Sequence, residues 1–141
     1  MMLPEHEFPK AIDENGRPVV RVQSLGSGSS GNAFLIENGE SSFLLDCGVG
    51  MRTITRAMKD RQRRIANLDA VLVTHEHIDH IRTLPQVLGT DIPVIASSGT
   101  FNLTRISDQQ WLPITPSTPV EIAGASIWAL PVRHDAAEPC G

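Results

Sequence analysis

The sequence predicts a mixed α/β fold, of the α+β kind, in which helices cover a sheet. Two observations support this class. Short runs of apolar or alternating residues, each of strand length, are separated by segments in which apolar residues recur at helical spacing. The run Leu68–Val73 is apolar except for Asp69, which is typical of a strand that is covered on both faces. The predicted order is strands, helix, strand, helix, strand, helix and strands, as in a layered α/β domain.

The N-terminal part of the chain begins with a polar segment and continues into predicted strands. Residues 1–17, which include His6, are polar and are interpreted as a flexible N-terminal tail. The apolar runs that follow predict three strands, at Val19–Leu25, Ala33–Ile36 and Phe43–Leu45. Asn38-Gly39 separates the second strand from the third and predicts a hairpin between them.

The rest of the chain alternates predicted helices with short strands. Apolar residues at helical spacing predict an amphipathic helix over residues 51–65. Two shorter helices are predicted, one that contains Leu84 and ends at Gly89, and one over Thr100–Ile106. After Leu68–Val73, further strands are predicted at Ile92–Ala96, Val120–Ile122 and Ser126–Leu130. The prolines of residues 113–119 predict a turn-rich connector.

Composition and charge limit the classes of function without selecting one. The chain has 141 residues, which is one domain or part of one, and a net charge of −4 with a pI near 5.7. This net negative charge does not favour nucleic acid as a partner, although local patches of charge matter more than the net charge. Sparse cysteine use (Cys47 and Cys140) and the lack of an evident signal peptide or membrane span predict a cytoplasmic location. Cys47 is predicted to be a small buried residue at a strand end.

Half of the 12 basic residues lie in one short segment. They are Arg52, Arg56, Lys59, Arg61, Arg63 and Arg64. Such a segment is either a solvated helix face or a surface that follows a phosphate backbone. We interpret it as a solvated face, because no aromatic residue lies among the charges on which nucleic-acid bases could stack.

A cluster of metal-binding residue types comes directly after the apolar run Leu68–Val73. The segment His75–His80 reads His-Glu-His-Ile-Asp-His and holds three of the five histidines of the chain. At a strand end, imidazoles at i and i+2 can turn the same way, while the side chains at i+4 and i+5 curl back. Imidazole nitrogen with carboxylate oxygen is a ligand set that suits zinc or a similar divalent metal. Glu76 lies between two of these residues and is expected to point into solvent.

The glycine-rich segment Gly26–Gly31 matches the dinucleotide-binding pattern G-x-G-x-x-G. That motif requires a helix directly after the glycines, because the pyrophosphate lies on the N-terminus of the helix. Here the glycines run into the predicted strand Ala33–Ile36. We therefore interpret the segment as a turn whose backbone comes close to a substrate or metal pocket.

These motifs together resemble the metallo-β-lactamase-fold hydrolases, and within them the WalJ/YycJ-like subgroup, which is related to phosphodiesterases and nucleases. The resemblance extends over most of residues 21–141. It rests on five stretches, at Ser24–Asn32, Leu44–Gly48, Thr74–Ile81, Ile92–Val94 and His134–Pro139. Thr83 departs from the family, which often has glycine there; the change alters a helix start and removes no ligand.

The resemblance implies a fold, an αββα sandwich of two similar βα halves, of which this chain supplies the N-terminal half. Residues 18–141 are then a partial domain that follows the tail. In the family, the other half brings an aspartate that bridges two metals and a last histidine. No histidine follows His134, so we expect the parent protein to continue beyond Gly141. We also expect one face of the sheet to be bare and apolar.

The resemblance also implies roles for individual residues. It implies a first metal at His75, His77 and His134, and a second metal at Asp79 and His80. Asp79 is the expected catalytic residue, because it lies beside the nucleophile and can orient it or take its proton. Asp46 is expected to support the histidines by hydrogen bonding, although it could instead be a turn residue. The expected cofactor is zinc, with two ions in the intact protein, and Mn²⁺ or Fe²⁺ are alternatives.

The leading hypothesis of function is a metal-dependent hydrolase of the phosphodiesterase or nuclease type, which uses metal-activated hydroxide on a phosphodiester or nucleic-acid substrate. Two alternatives stay open: hydrolysis of a thioester, lactone or β-lactam on the same fold, and a metal-binding fragment that is catalytically incomplete. Because part of the site is expected outside this sequence, the chain should bind one metal better than two. Asp135 and Glu138 flank His134 and are candidates for substrate contact.

Overall fold

The computed structural model describes residues 10–89 and 91–141. The strands are β1 (Val20–Gly26), β2 (Ala33–Asn38), β3 (Ser41–Leu45), β4 (Ala70–Leu72), β5 (Val94–Ala96), β6 (Trp111–Pro113), β7 (Val120–Ile122) and β8 (Ala125–Ile127). The helices are α1 (Met51–Asp60), α2 (Ile78–Ile81), α3 (Leu84–Leu88) and α4 (Ser98–Asn102), and a 3₁₀ turn covers Ile65–Asn67. None of these helices has the length and apolar character needed to cross a membrane. The mixed α/β class predicted from the sequence is confirmed.

Six of these strands form one mixed sheet in the order β1 to β6, and β7 pairs with β8 in a separate hairpin. β1, β2 and β3 are antiparallel neighbours, with the predicted hairpin between β2 and β3. β3 to β6 are parallel, so the carboxyl ends of these strands lie at the same edge of the sheet. Ligand sites of α/β sheets form beyond the carboxyl ends of strands. This edge is therefore where functional side chains are expected to meet.

Apolar side chains pack on both faces of the sheet. Leu44 and Val71 are neighbours in register and pack in one core cluster with Ile54 of α1. Phe43 and Ile95 belong to a second cluster, which packs against the β7–β8 hairpin. Successive residues of a strand point to opposite faces, so the two clusters lie on opposite sides of the sheet.

The face under the hairpin is only partly covered. Val20 and Val22 on β1 are 62% and 61% exposed, and Trp128, just after β8, is 62% exposed. Leu45 and Leu72 on the central strands are half-buried. An apolar surface therefore remains on this face, as expected from the sequence, although the β7–β8 hairpin covers part of it.

Two predicted helices differ from the observed ones at their ends. α1 ends at Asp60 instead of residue 65, because Gln62 adopts a left-handed φ of 57° and Arg63 N–H donates back to Met58 O at 2.9 Å. The second is α4, which covers Ser98–Asn102 rather than residues 100–106. It begins earlier because the Ser97 side chain accepts a hydrogen bond from the first turn.

Two elements were not predicted, and three strands (β4, β5 and β8) are shorter than predicted. Trp111–Pro113 forms β6, where the prolines indicated a connector. β6 is the last strand of the sheet, and an edge strand tolerates a residue without a backbone N–H. α2 is a single turn over Ile78–Ile81 and is too short to show a helical period. β8 ends at Ile127 instead of Leu130.

Part of the predicted tail packs against the sheet. Ala11 is fully buried, with 0% exposure, and its backbone N–H donates to Gly39 O at 3.0 Å. Ile12 forms a bridge with Pro18. Ala11 and Ile12 therefore contact the rest of the fold, while the division into a tail of residues 1–17 and a domain of residues 18–141 stays a prediction. Residues 1–9, with His6, lie outside the described part of the chain, so a flexible tail there stays a prediction.

The basic segment divides into two groups. Arg61 and Arg63 are held at the edge of the sheet: Arg61 Nε lies 2.9 Å from Glu37 Oε1, and Arg63 Nη2 donates to Glu40 O at 2.6 Å. The exposed members are Arg52, Arg56, Lys59 and Arg64. The interpretation as a solvated face therefore holds for the exposed group only.

Candidate metal centre

The ends of β3 and β4 position the first residues of the site. Asp46 follows β3 and has a left-handed φ of 58°, which turns the chain beyond the strand. Its backbone N–H donates to Leu72 O of β4 at 2.7 Å, which joins the two strand ends. Thr74 and His75 follow β4 directly beside this turn.

Three histidines converge at this edge, and we call His75, His77 and His134 the three-histidine cluster. One ring nitrogen from each lies within 4.8 Å of the others. The Nε2 atoms of His75 and His134 are 3.0 Å apart, although the residues are separated by 59 positions. Two nitrogen ligands of a tetrahedral zinc, each about 2.0–2.1 Å from the ion, lie about 3.3 Å apart. The observed spacing therefore matches two donors to one ion.

In the neutral form of each imidazole, the proton lies on the nitrogen that donates a hydrogen bond, and the other nitrogen can bind a metal. His77 Nε2 donates to Asp135 O at 3.1 Å, and His134 Nδ1 donates to the Asp135 carboxylate at 3.1 Å. His75 Nδ1 lies 2.9 Å from Thr74 Oγ1. It donates to that oxygen, because the Thr74 hydroxyl donates its own proton to Asp46 Oδ2. Unprotonated imidazole nitrogens are metal ligands. The Nε2 atoms of His75 and His134 face each other 3.0 Å apart, a spacing that either a shared proton or one metal ion bridges, so the donor set fits a metal.

Asp79 and His80 lie beside this cluster on α2, and we call them the acid–histidine pair. Asp79 Oδ2 is 3.6 Å from His80 Nε2, and the His80 ring centroid is 4.0 Å from that of His75. His80 Nδ1 donates to Asp46 Oδ2 at 2.7 Å, so Nε2 is the nitrogen that can bind a metal when the ring is neutral. The pair is a second and smaller donor set of one oxygen and one nitrogen.

Asp46 joins the two donor sets through a buried hydrogen-bond network. Its carboxylate accepts from Thr74 N at 2.8 Å, from Thr74 Oγ1 at 2.7 Å and from His80 Nδ1 at 2.7 Å. Since Thr74 Oγ1 accepts from His75, one carboxylate orients an imidazole of each set. Burial raises the pKa of Asp46, and the hydrogen bonds from Thr74 and His80 oppose that rise. Asp46 thus makes both the contacts implied by the resemblance and the turn named as the alternative.

His75 is the most buried residue of the three-histidine cluster, with 6% exposure. Burial, and after it the neighbouring imidazoles of His80, His134 and His77, lowers the pKa of His75 to about 4. Its ring is therefore neutral at pH 7, which is the form that binds a metal.

Glu76 does not point into solvent, so that prediction is wrong. The side chain is half-buried, and its carboxylate accepts from Ala137 N at 2.9 Å and from Thr100 Oγ1 at 3.4 Å. Burial alone would raise the pKa of Glu76, but the hydrogen bond from Ala137 and the neighbouring histidines hold it below its ordinary value. Glu76 therefore ties the loop that carries His134 to the loop after β4.

Glu138 fastens the same loop to α4. Its Oε1 accepts from Gly99 N at 3.1 Å and from Ser98 Oγ at 3.2 Å, and the bond from Gly99 contributes most to lowering its pKa. A Cβ at Gly99 would lie 2.6 Å from Glu138 Cβ, so the close approach needs glycine. Of the two acids suggested for substrate contact, Glu138 is engaged with α4, whereas the Asp135 side chain is 87% exposed.

The glycine-rich segment Gly26–Gly31 borders the site and runs into β2, as predicted. It lines an open cleft of about 420 Å³ together with Gly48 and Arg82. Asn32, at the end of the segment, contacts both Asp79 and His80. Asn32 and Thr74 stand at the ends of two motif stretches, but neither was given a role from the sequence, since only their contacts show what they support.

A protein-family model described as the metallo-beta-lactamase superfamily matches residues 26–100, which is more than half of the chain. The chain belongs to the metallo-β-lactamase superfamily. This membership confirms the resemblance drawn from the motifs. The superfamily binds divalent metals, and the three-histidine cluster is a group that can hold one.

Two bacterial proteins are similar to this chain in sequence. The chain is 46% identical over 57 residues to exodeoxyribonuclease WalJ of Streptococcus pneumoniae, which covers 40% of this chain and 21% of that protein. It is 31% identical over 121 residues to exodeoxyribonuclease YycJ of Bacillus anthracis, which covers 82% of this chain and 46% of that protein. The chain therefore spans less than half of the length of either relative.

A solved structure supports the fold of the superfamily. The metallo-β-lactamase fold protein YhfI of Bacillus subtilis superposes with a TM-score of 0.69 at 18% identity, over 87% of this chain and 56% of that one. At this identity the likeness shows the shared fold and carries no information on substrate.

Proposed function

We propose that this chain is the metal-binding part of a hydrolase that cleaves phosphodiester bonds in nucleic acid. The observation that carries the proposal is the three-histidine cluster, because His75 and His134 bring their Nε2 atoms to 3.0 Å. Similarity to two proteins named exodeoxyribonucleases supports the substrate class. Membership of the superfamily alone would indicate a fold and no particular reaction.

In this proposal the two donor sets hold two divalent ions, with zinc as the resident metal. The three-histidine cluster holds the first through three nitrogens, an arrangement that leaves a position for water. The acid–histidine pair contributes Asp79 Oδ2 and His80 Nε2 to the second. Mn²⁺ and Fe²⁺ suit the same oxygen and nitrogen donors and are the alternative metals.

The residues of the chain have separate tasks in this reaction. Metal ions bound there lower the pKa of water from about 15.7 to about 7 and stabilise charge on a phosphoryl oxygen. Asp79 is the proposed catalytic residue: its carboxylate, 28% exposed, orients the attacking water or accepts its proton. Asp46 holds His80 directly and His75 through Thr74, so that neither imidazole rotates away from the site.

We also propose a cytoplasmic location. Both cysteines of the chain are free thiols, Cys47 in the core and Cys140 half-buried. Free thiols in a small domain suit a reducing compartment. Fractionation of cells that express the protein at natural levels tests this, and recovery from an extracellular or periplasmic fraction would contradict it.

The test of function is hydrolysis of bis(p-nitrophenyl) phosphate and of end-labelled DNA by the longest natural protein that contains this sequence, loaded with zinc. We expect cleavage of both, and a fall in kcat of at least about 100-fold in Asp79→Ala. Asp69→Asn is the matched control. Asp69 stands before β4, at the other end of the same strand from the site, where it accepts from Ser42 N at 2.8 Å; this variant should keep its activity.

Two results would contradict the proposal. Cleavage of a thioester, lactone or β-lactam without cleavage of either phosphodiester would favour the other substrate classes of the same fold. Zinc binding without turnover of any ester, by the longest natural protein that contains this sequence, would indicate a metal-binding module that is not an enzyme.

A further inference from the structure

Asn32 places a side-chain N–H against both members of the acid–histidine pair. Its Nδ2 lies 3.3 Å from Asp79 Oδ2 and 3.3 Å from His80 Nε2. These are the two atoms that the proposed function assigns to the second metal. In the neutral His80 ring Nε2 carries a lone pair, because Nδ1 donates to Asp46. Asn32 is the donor that stands beside both.

The glycine-rich segment fixes which way the amide of Asn32 faces. Gly28 N–H donates to Asn32 Oδ1 at 3.0 Å, and Asn32 Nδ2 donates to Gly28 O at 2.7 Å. A backbone N–H can only meet the oxygen of the amide, so the nitrogen must lie on the other side. One hydrogen of that nitrogen is used by Gly28 O. The second faces the acid–histidine pair, where Asp79 O, Asp79 Oδ2 and His80 Nε2 each lie 3.3 Å from Asn32 Nδ2.

Backbone contacts hold the same region independently of the Asn32 side chain. Asn32 N–H donates to Asp79 O at 2.7 Å, Gly48 N–H donates to Asn32 O at 2.8 Å, and Cys47 N–H donates to His80 O at 2.8 Å. A Cβ at Gly48 would lie 1.7 Å from Asp79 O, so this packing requires glycine. A substitution of the Asn32 side chain leaves these main-chain bonds available, which makes its own contribution measurable.

We propose, on the basis of the function proposed above, that Asn32 is a positioning residue for the second metal. Its N–H holds the Asp79 carboxylate facing His80, so that an oxygen and a nitrogen already converge before an ion arrives. A donor set that is fixed in advance binds a metal more tightly than one that must be ordered on binding. The glycine-rich segment then supports the acid–histidine pair through the side-chain amide of Asn32.

Cobalt(II) titration of the full chain tests this, followed by visible absorption and calorimetry. The first equivalent reports the three-histidine cluster, and the second reports the acid–histidine pair. In Asn32→Ala we expect an unchanged first equivalent and a second equivalent that is about 10–100-fold weaker. Asn32→Gln keeps an amide and should recover part of the loss. Asn38→Ala, at the other end of β2, is the matched control and should change neither.

An equal second affinity in wild type and Asn32→Ala would overturn the role of Asn32. Equal weakening of both equivalents would also overturn it, because that result reports lost structure and not positioning. Circular dichroism checks the fold, and Asn32→Ser, which keeps a polar group in the loop, replaces the alanine variant if that variant is unfolded. Asp79→Ala separates the two proposals: if it changes neither equivalent, the acid–histidine pair binds no metal and the two-metal proposal fails with it.

Discussion

The three-histidine cluster and the acid–histidine pair lie side by side, yet they are built differently. The cluster takes three nitrogens from two loops that are far apart in sequence, and the loop of His134 is fastened by Glu76 and Glu138. The pair takes two donors from one helical turn and depends on Asp46 and Asn32 for their orientation. Three convergent nitrogens suffice for a metal, whereas one oxygen and one nitrogen leave most of the coordination to other groups. The two sets should therefore differ strongly in affinity.

The largest effect is expected from the loss of a donor of the three-histidine cluster. His77→Ala should weaken binding of the first zinc by more than about 100-fold, because one of three ligands is removed. Calorimetric titration of the purified chain measures this. His6→Ala, which removes the only histidine outside the two donor sets, is the control and should bind as wild type does. Equal binding by His77→Ala would mean that the metal lies elsewhere.

Asp46 should affect both sets, since it contacts one imidazole of each. In Asp46→Asn an amide N–H replaces an acceptor, so a donor from Thr74 or His80 loses its partner. We expect the first and second equivalents to weaken by about 10–100-fold each. The same titration with Asp69→Asn should show unchanged affinities and at most a lower melting temperature. If Asp46→Asn lowers the melting temperature and leaves both metal affinities unchanged, Asp46 acts only as a turn residue.

Glu76 should matter to the three-histidine cluster only. In Glu76→Ala the bond from Ala137 N is lost and the His134 loop is held less firmly. One hydrogen bond to a partly exposed carboxylate contributes roughly 1 kcal/mol, so the first zinc should bind about five-fold more weakly. The second equivalent should not change. Glu121→Ala, on the β7–β8 hairpin, is the control, and a loss of equal size there would show that the effect is general.

Cys47 should take no part in either set. Burial, and after it the charge of Asp46, raises the pKa of the Cys47 thiol to about 12. The thiolate is the reactive form, so Ellman's reagent at pH 8 should label Cys47 only after unfolding. Because the folded pKa lies above the ordinary value of 9.0, folding stability should fall as the pH rises from about 9 to about 12. Rapid labelling of Cys47 in the native protein, resolved by peptide mapping, would contradict its burial.

The difference between the two sets also shows what the sequence could reveal. Ligand residue types at a strand end are visible in the sequence, so the segment His75–His80 was predicted as a metal site from its pattern. The strands with regular apolar runs, and the helix that ends at Gly89, were predicted because their patterns are also local in the sequence. His134 has no such pattern around it, and only the resemblance to a family connected it with the others.

Apart from Asp46, which the resemblance implied, the supporting residues could not be predicted, because their roles depend on contacts between distant segments. Glu76 looks like an exposed residue between two ligands, but its partners Ala137 and Thr100 approach from elsewhere in the chain. Asn32 lies 47 positions from Asp79. Element ends were missed for local reasons, such as the left-handed Gln62 that ends α1. Patterns in the sequence thus indicated donors, and tertiary structure was needed to find what holds them.

Zinc titration of the metal-free chain by calorimetry tests the central claim most directly, which is that His75, His77 and His134 converge to hold one metal. We predict one tight equivalent, lost in His77→Ala, and a second equivalent at least about 10-fold weaker. Two tight equivalents of equal affinity would contradict the unequal construction of the two sets. A chain that binds no zinc at all would contradict the metal centre itself.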